Sequence, residues 1–417
     1  MSIDWSENNN YLKGIFNNLD TIHNTIRDPI RIAAFDLDDT IIHKSSPRSK
    51  SKKSDKWKLV SMDMITKIHE LIKREYIIVI FSNQAGMINK SFNKVKWRQA
   101  MNELIKFICK DLESKLESIY VGIYVAKNYD MYRKPNLGLW NLMKTDLKIE
   151  FKLSKLKISK QSFYVGDAAG RLYPSPYKKK LHPTSKTGDH SDVDRKFALN
   201  VGLKFLTPED FMMKHPPKMK YQLTGFDPKS YLDNLSKKTI EYEFTPRSKE
   251  LIIMVGPPGS GKSDFVSTYI EPHDYVHINQ DTCKTRAKCL NTAEDAMAKK
   301  KSIVIDNTNP DVSRQIHNTR KVLKYKYTHI RCIIFDTDIE LAKHLANVRH
   351  LYSDGKIPNI SPIVYHVYRK KYTQPQREEH FDKIETIHFD FDRSQLRDPK
   401  WMKFFMMYTE SLGKNKN

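Results

Sequence analysis

Two short motifs, each set directly after a run of apolar residues, constrain this chain more than anything else in it. Asp36-Leu37-Asp38-Asp39-Thr40 follows Ile32-Ala33-Ala34-Phe35, and Gly256-Pro257-Pro258-Gly259-Ser260-Gly261-Lys262-Ser263 follows Leu251-Ile252-Ile253-Met254-Val255. A chain that carries both must build two strand ends facing phosphate. The first pattern offers a carboxylate able to attack phosphorus. The second is a complete P-loop for a nucleoside triphosphate.

At 417 residues the chain is long for one core, and two or three domains are expected. From Arg31 to about Phe211, β-like runs at 31–36, Tyr76–Phe81, Ile119–Ala126 and Ser162–Gly166 alternate with helix-like spacing at 62–74, 95–117 and 137–146. A second series follows, with strands near 251–255, 302–306, 329–335 and 386–390 and helices near 263–270, 338–351 and 361–371. Such alternation predicts α/β domains with mainly parallel sheets. Between the two series, 213–249 holds Pro216-Pro217, Pro228 and Pro246 with little periodicity, and reads as a linker. The expected division is an N-terminal extension at 1–29 (an adaptor or a short helix), a first domain at 30–212, the linker, and a second domain at 250–417.

Lysine and arginine number 72 against 49 acidic residues, a formal charge of +23. That excess favours a polyanionic partner such as nucleic acid, although a Lys-rich coding bias produces the same balance. The four cysteines, at 109, 283, 289 and 332, form no CxxC pair, so they read as free thiols and zinc is not expected. The polar, acidic start lacks the form of a signal peptide, and no apolar run approaches membrane-spanning length. A soluble intracellular protein is expected, nuclear rather than cytoplasmic, and monomeric since no heptads invite dimerisation. The Lys-, Ser- and Arg-rich segment Lys44–Lys58 reads either as an import signal or DNA-contacting loop, or as a solvated insertion.

In the first domain, Asp36 and Asp38 are expected at the carboxyl end of the first strand, where ligands collect in open α/β sheets. Asp36 can become an aspartyl phosphate, and Asp38 can protonate the leaving oxygen and then activate water. Phosphoryl transfer between anions calls for Mg²⁺ and a lysine nearby. Ser82 and Asn83, after the second strand, are candidate phosphate ligands, as is Arg171. Lys134 can neutralise the aspartyl phosphate. Asp167 is a candidate Mg²⁺ ligand together with Asp36 and Asp38. Taken in order, these four strand-end elements resemble the haloacid dehalogenase (HAD) superfamily of aspartate-nucleophile phosphatases.

In the second domain, Gly256, Gly259, Ser260 and Gly261 are expected to wrap the phosphates of ATP, with Lys262 on the β and γ phosphates and Ser263 on Mg²⁺. Asp281 is the candidate base for an acceptor hydroxyl. Asp306, ending the run Ser302–Ile305, is the Walker-B-like carboxylate of the magnesium shell. Arg349 reads as a lid arginine or as a solvated helix residue. No NKxD guanine-recognition motif occurs, which favours a small-molecule or polynucleotide kinase over a GTPase.

Together these residues resemble the bifunctional polynucleotide kinase 3′-phosphatases, from about Ile32 to about Phe391. The resemblance also rests on Arg133-Lys134-Pro135, Gly166-Asp167-Ala168-Ala169-Gly170-Arg171, Asp194-Arg195 with Phe197-Ala198-Leu199-Asn200, Phe226-Asp227-Pro228 and Ile305-Asp306-Asn307-Thr308-Asn309-Pro310. It implies a HAD-like phosphatase domain followed by a P-loop kinase domain. The implied activities are removal of a 3′-phosphate and ATP-dependent phosphorylation of a 5′-hydroxyl at DNA nicks, gaps or breaks, with a ligase or repair scaffold acting alongside. Three departures stand out. The roughly thirty residues ahead of Ile32 are too few for the forkhead-associated domain of animal members. Asn279-Gln280-Asp281 stands where those enzymes resemble Asn-Arg-Asp. Asn347 precedes Arg349 where the family often has two arginines, so Arg314, Lys284 or Arg286 are candidate substitutes. Two other readings stay open: RNA ends as substrate, and a nucleic-acid-binding scaffold with a weakened kinase half.

Overall fold

The computed structural model describes residues 3–17, 28–43, 57–89, 92–110, 112, 119–173, 188–216, 218–235, 242–317, 325–327, 329–388 and 397–412. All of the Lys44–Lys58 segment except its last two residues lies outside them. The chain divides into two compact units, residues 1–225 with 407–410 and residues 226–406 with 411–417.

The first unit is a seven-stranded sheet. Its strands are β1 (Asp4–Glu7), β2 (Tyr11–Asn17), β3 (Ile32–Phe35), β4 (Ile77–Asn83), β5 (Tyr120–Ala126), β6 (Phe163–Val165) and β7 (Lys204–Leu206), in the order β1-β2-β5-β4-β3-β6-β7. From β5 to β7 the strands are parallel. Alternate residues feed two cores: Ala33, Phe35, Ile78 and Ile80 point to one face, and Ile32, Ala34, Val79 and Phe81 to the other. Burial on both faces explains why these strands read as unbroken apolar runs. The helix Met62–Lys73 covers the first face with Met64, Ile65, Ile68, Leu71 and Ile72, a helical stripe capped by the Ser61 side chain.

The hairpin β1–β2 corrects the expectation of an adaptor or short helix. β2 pairs antiparallel with β5, and Leu12 and Phe16 enter the core. Gly14 lies under the Trp5 ring, where a Cβ would come within 2.7 Å. The Trp5 indole donates to Asn102 Oδ1, and Arg98 pairs with Glu7.

The second unit holds an all-parallel sheet of β8 (Glu250–Val255), β9 (Val276–Ile278), β10 (Ile303–Ile305), β11 (His329–Asp336) and β12 (Lys383–His388). Its order is β12-β11-β8-β10-β9. Leu251, Ile253 and Val255 face one core, and Ile252 and Met254 the other. Part of the expected linker is structured, since Pro228–Asp233 forms a helix capped by Asp227. Among the described residues, no helix is long and apolar enough to cross a membrane.

Candidate active sites

In the first unit the carboxyl ends of β3, β4 and β6, and the loop beyond β5, meet at one point. Lys134 is at its centre, with its ammonium almost wholly buried. Nζ lies 2.6 Å from Asp36 Oδ1, 2.7 Å from Asp194 Oδ1, and 2.9 Å from both Phe81 O and the Tyr164 hydroxyl. Burial pulls this ammonium's pKa down, but Asp194 and Asp36 outweigh it and hold it above the usual lysine range. Burial, helped by the neighbouring Asp194 and Asp38, pushes the Asp36 carboxyl up to about 7 against the pull of Lys134. Burial, then Asp36 and Asp194, pushes Asp167 well above the ordinary carboxylate range.

The predicted residues divide into those that converge and those that serve other groups. Asp36, Asp167 and Lys134 belong to one buried cluster. Asp38 stands outside it: among the described residues, the carboxylates whose ligand atoms lie within 4.8 Å of one another are Asp36, Asp167 and Asp194. Asp38 Oδ2 instead accepts from the Gln84 amide at 2.5 Å, and the same amide donates to Ser82 Oγ at 2.9 Å. Ser82 is buried at the end of β4. Asn83 does not present its amide as a phosphate ligand; it clamps the Lys134 peptide, accepting its N–H (2.9 Å) and donating to its carbonyl (3.0 Å).

Arg171 corrects a second expectation. Its guanidinium is buried and spent on Asp189 (2.9 Å), Glu209 (2.5 Å) and the Asp167 carbonyl (2.9 Å), so it braces the Asp167 loop instead of meeting phosphate. The Asp167 N–H donates to Thr40 Oγ1, tying that loop back to the first motif.

Asp194 carries no role in the sequence reading, although the motif holding it is visible there. It opens the helix Val193–Val201, accepts from Lys134, Tyr164 and the Ala168 N–H, and is 1% exposed. With its oxygens so engaged, Asp36 and Asp167 have the more open lone pairs. Three buried carboxylates against one ammonium leave excess negative charge in an all-oxygen site, which fits a hard divalent cation such as Mg²⁺.

In the second unit the P-loop leaves β8 and opens the helix Lys262–Phe265. Gly259 sits at φ +77°, and a Cβ there would lie 2.6 Å from the Ala342 carbonyl. Lys262 Nζ donates to Gly256 O (3.0 Å), Pro257 O (2.7 Å) and Ser260 Oγ (3.1 Å). Burial lowers this lysine's pKa to about 8, opposed by Asp306. Ser263 Oγ donates to Asp306 Oδ2 at 2.6 Å, so the two candidate magnesium ligands are adjacent.

His277, on β9, goes unassigned in the sequence reading. It lies 3.0 Å from Asp306 Oδ2 and 2.8 Å from Glu271 Oε1. The bond to Asp306, more than the one to Glu271, raises its pKa against the effect of burial. Asp281 is exposed in the first turn after β9, and the adjoining Gln280 N–H donates to Asn307 Oδ1, next to Asp306. That link sets the candidate base beside the magnesium-shell loop.

Arg349 is exposed on the helix Ile339–Tyr352. Asn347, two residues before it, is buried and accepts from Asn359 Nδ2 at 3.1 Å. Arg314 is excluded as a substitute lid: it is 1% exposed and held by Glu379 (2.6 Å) and the Thr373 carbonyl (3.0 Å). Lys284 and Arg286 are exposed near Asp281 in sequence, with Arg286 donating to the Ser313 carbonyl.

The two sheets and their strand-end sites define a HAD-like phosphatase unit and a P-loop kinase unit on one chain. Residues 31–212 match the family described as polynucleotide kinase 3 phosphatase, and 251–358 match an AAA domain. The chain is 54% identical over 414 residues to an Acanthamoeba polyphaga mimivirus protein assigned both phosphatase and kinase activities, covering 98% of this chain and 95% of that one. It is 32% identical to the bifunctional polynucleotide phosphatase/kinase of Schizosaccharomyces pombe, covering 86% of this chain and 80% of that one. The polynucleotide 3′-phosphatase of Arabidopsis thaliana is 32% identical over 200 residues, 45% of this chain and 25% of that one. The chain belongs to the family of bifunctional polynucleotide phosphatase/kinases.

Proposed function

We propose that the protein heals nucleic-acid ends, removing a 3′-phosphate and phosphorylating a 5′-hydroxyl with ATP, in DNA strand-break repair. The observation that carries the phosphatase half is the buried Asp36–Lys134 contact at 2.6 Å beside Asp167.

In the proposed reaction an Asp36 oxygen attacks phosphorus, and the bond from phosphorus to the 3′ oxygen breaks. Asp38 hands its proton to the leaving oxygen, then takes one from the water that releases phosphate from Asp36. Gln84 holds Asp38 for both tasks. Lys134 offsets the charge on the aspartyl phosphate. Asp36 and Asp167 would hold Mg²⁺, which when bound would supply further positive charge for phosphoryl transfer.

In the kinase half, Asp281 is the proposed base for the 5′-hydroxyl, and Lys262 with Arg349 stabilises the transferring phosphate. Ser263 and Asp306 are the proposed magnesium holders. The formal charge of +23 supports a polyanionic substrate.

The test is a nicked duplex bearing 3′-phosphate and 5′-hydroxyl, with Mg²⁺ and with or without ATP, both ends resolved on a gel. Both ends should convert, the 5′ end only with ATP. Asp36→Ala should lose only the first reaction and Lys262→Ala only the second. Parallel loss of both reactions in either variant would refute the assignment. Matched RNA duplexes decide between DNA and RNA.

A further inference from the structure

Lys134 reaches Asp36 from a loop without regular structure between β5 and the helix Gly138–Glu150. Asn83 clamps its peptide on one side. The residues on either side of it in the chain are held by a segment more than 270 positions away. Arg133 donates from two nitrogens to both oxygens of Glu410, at 2.8 and 2.9 Å. The Pro135 carbonyl accepts from Asn200 Nδ2 at 2.9 Å, and the same Asn200 side chain exchanges two 2.8 Å bonds with the Tyr408 backbone. Between them, the Thr409 carbonyl accepts from the fully buried Lys196 at 2.9 Å. Met407 and Thr409 are themselves buried. Glu410 therefore ties down the loop of the proposed catalytic lysine directly and Tyr408 does so through Asn200, while Thr409 between them holds Lys196; all three belong to the same compact unit as Lys134.

We propose that Met407–Glu410, although it lies within the second unit in sequence, is a working part of the phosphatase, and that Glu410 acts through Arg133 as a positioning residue for Lys134. The proposal rests on Asp36 and Lys134 doing the chemistry assigned above. A two-nitrogen guanidinium–carboxylate contact fixes direction as well as distance, so it holds the loop in the plane that brings Nζ to the nucleophile. Without it the loop keeps its Asn83 clamp but gains freedom on the Arg133 side. Displacements of an ångström at a reacting group suffice for large rate losses.

The test compares full-length wild type, Glu410→Ala, Arg133→Ala and the double variant. Turnover is measured on p-nitrophenyl phosphate and on a 3′-phosphorylated oligonucleotide, alongside kinase activity and thermal unfolding. Glu410→Ala should lower phosphatase kcat about tenfold on both substrates, in line with loss of a charged hydrogen bond, with KM within about twofold and kinase turnover unchanged. The double variant should be no slower than the slower single one, because the two side chains act as one unit. A kcat within about twofold of wild type in Glu410→Ala would overturn the proposal, as would losses that multiply in the double variant. Wild type that hydrolyses the small ester but not the oligonucleotide would refute the polynucleotide reading and leave this positioning role standing.

Discussion

Replacing Lys134 by Met removes the ammonium bonded to Asp36 and Asp194, beside Asp167, while keeping a side chain of similar length. Those carboxylates approach within 4.8 Å of one another, and the lysine lies 2.6 and 2.7 Å from two of them. Breaking a buried ion pair from one side costs roughly 3–5 kcal/mol, most of it from the charge left behind. The first unit of Lys134→Met should therefore unfold at clearly lower denaturant. Phosphatase turnover should fall by roughly 10²–10³, the range for losing one preorganised electrostatic contact. Adding Asp194→Asn separates the two effects. The double variant carries two buried carboxylates in place of three, so it should recover part of the lost stability, on the order of 1–3 kcal/mol. It should recover no activity, since nothing restores positive charge beside Asp36. Urea unfolding and single-turnover removal of a 3′-phosphate read the two quantities. The reasoning is refuted if the double variant is less stable than Lys134→Met, or if Lys134→Met turns over within tenfold of wild type.

Gly259→Ala should lower kinase turnover and destabilise the second unit by about 1–3 kcal/mol, because φ +77° and the Ala342 carbonyl at 2.6 Å both oppose a Cβ; unfolding and oligonucleotide phosphorylation check it, with phosphatase turnover as the control. Asn347→Arg should not strengthen the kinase: it breaks the Asn359 bond and buries a guanidinium, so thermal stability should fall with no gain in turnover. His344, between the Phe226 and Phe405 rings and bonded to the Phe405 carbonyl, has its pKa pulled down by burial to about 3. The unfolded chain takes up a proton below about pH 6.5 that the folded unit refuses, so stability is intact above that pH and drops roughly tenfold in the folding constant per unit below it. Unfolding at pH 7.5 and 5.5 should show this slope, and it should flatten in His344→Gln.

Much of the fold was legible because the central strands are buried on both faces. Ile77–Phe81 and Leu251–Val255 have no polar side to interrupt them, so each reads as one apolar run ended by a phosphate motif. β2 escaped notice for the opposite reason. Its inward residues are Leu12, Gly14 and Phe16, and its outward ones include Tyr11 and Ile15, which pack on the second core. A glycine inside and apolar groups outside erase the period-two contrast that marks a half-buried strand.

Site residues divide in the same way. Asp36, Asp167 and Lys134 come after strands, so position in the sequence was enough to group them, and the structure brings them close together. Asp194 begins a helix and Asn83 works through a backbone clamp, and their roles depend on which distant groups the fold brings to them. Arg171 shows the converse error: beside a magnesium carboxylate a guanidinium suggests phosphate, yet Asp189 and Glu209, 18 and 38 residues away, claim it first.

The two lysines proposed for catalysis, Lys134 and Lys262, show how one side chain can be set for two tasks. Both are buried, and burial alone disfavours the ammonium in each. Lys134 has carboxylates on two sides, which hold it charged before any substrate arrives. Lys262 has two carbonyls and a hydroxyl as its partners, and burial, opposed by Asp306, lowers its pKa to about 8. Neutral oxygens satisfy its hydrogens without compensating its charge. An incoming triphosphate offers both, so it should displace the Gly256 and Pro257 carbonyls from Lys262 and draw that lysine fully into its charged form. Phosphate removal needs a cation fixed on the protein's own nucleophile, whereas phosphate transfer from a nucleotide needs one that the substrate recruits. The burial common to both sites, and the carboxylates bonded directly to Lys134 but not to Lys262, account for the difference.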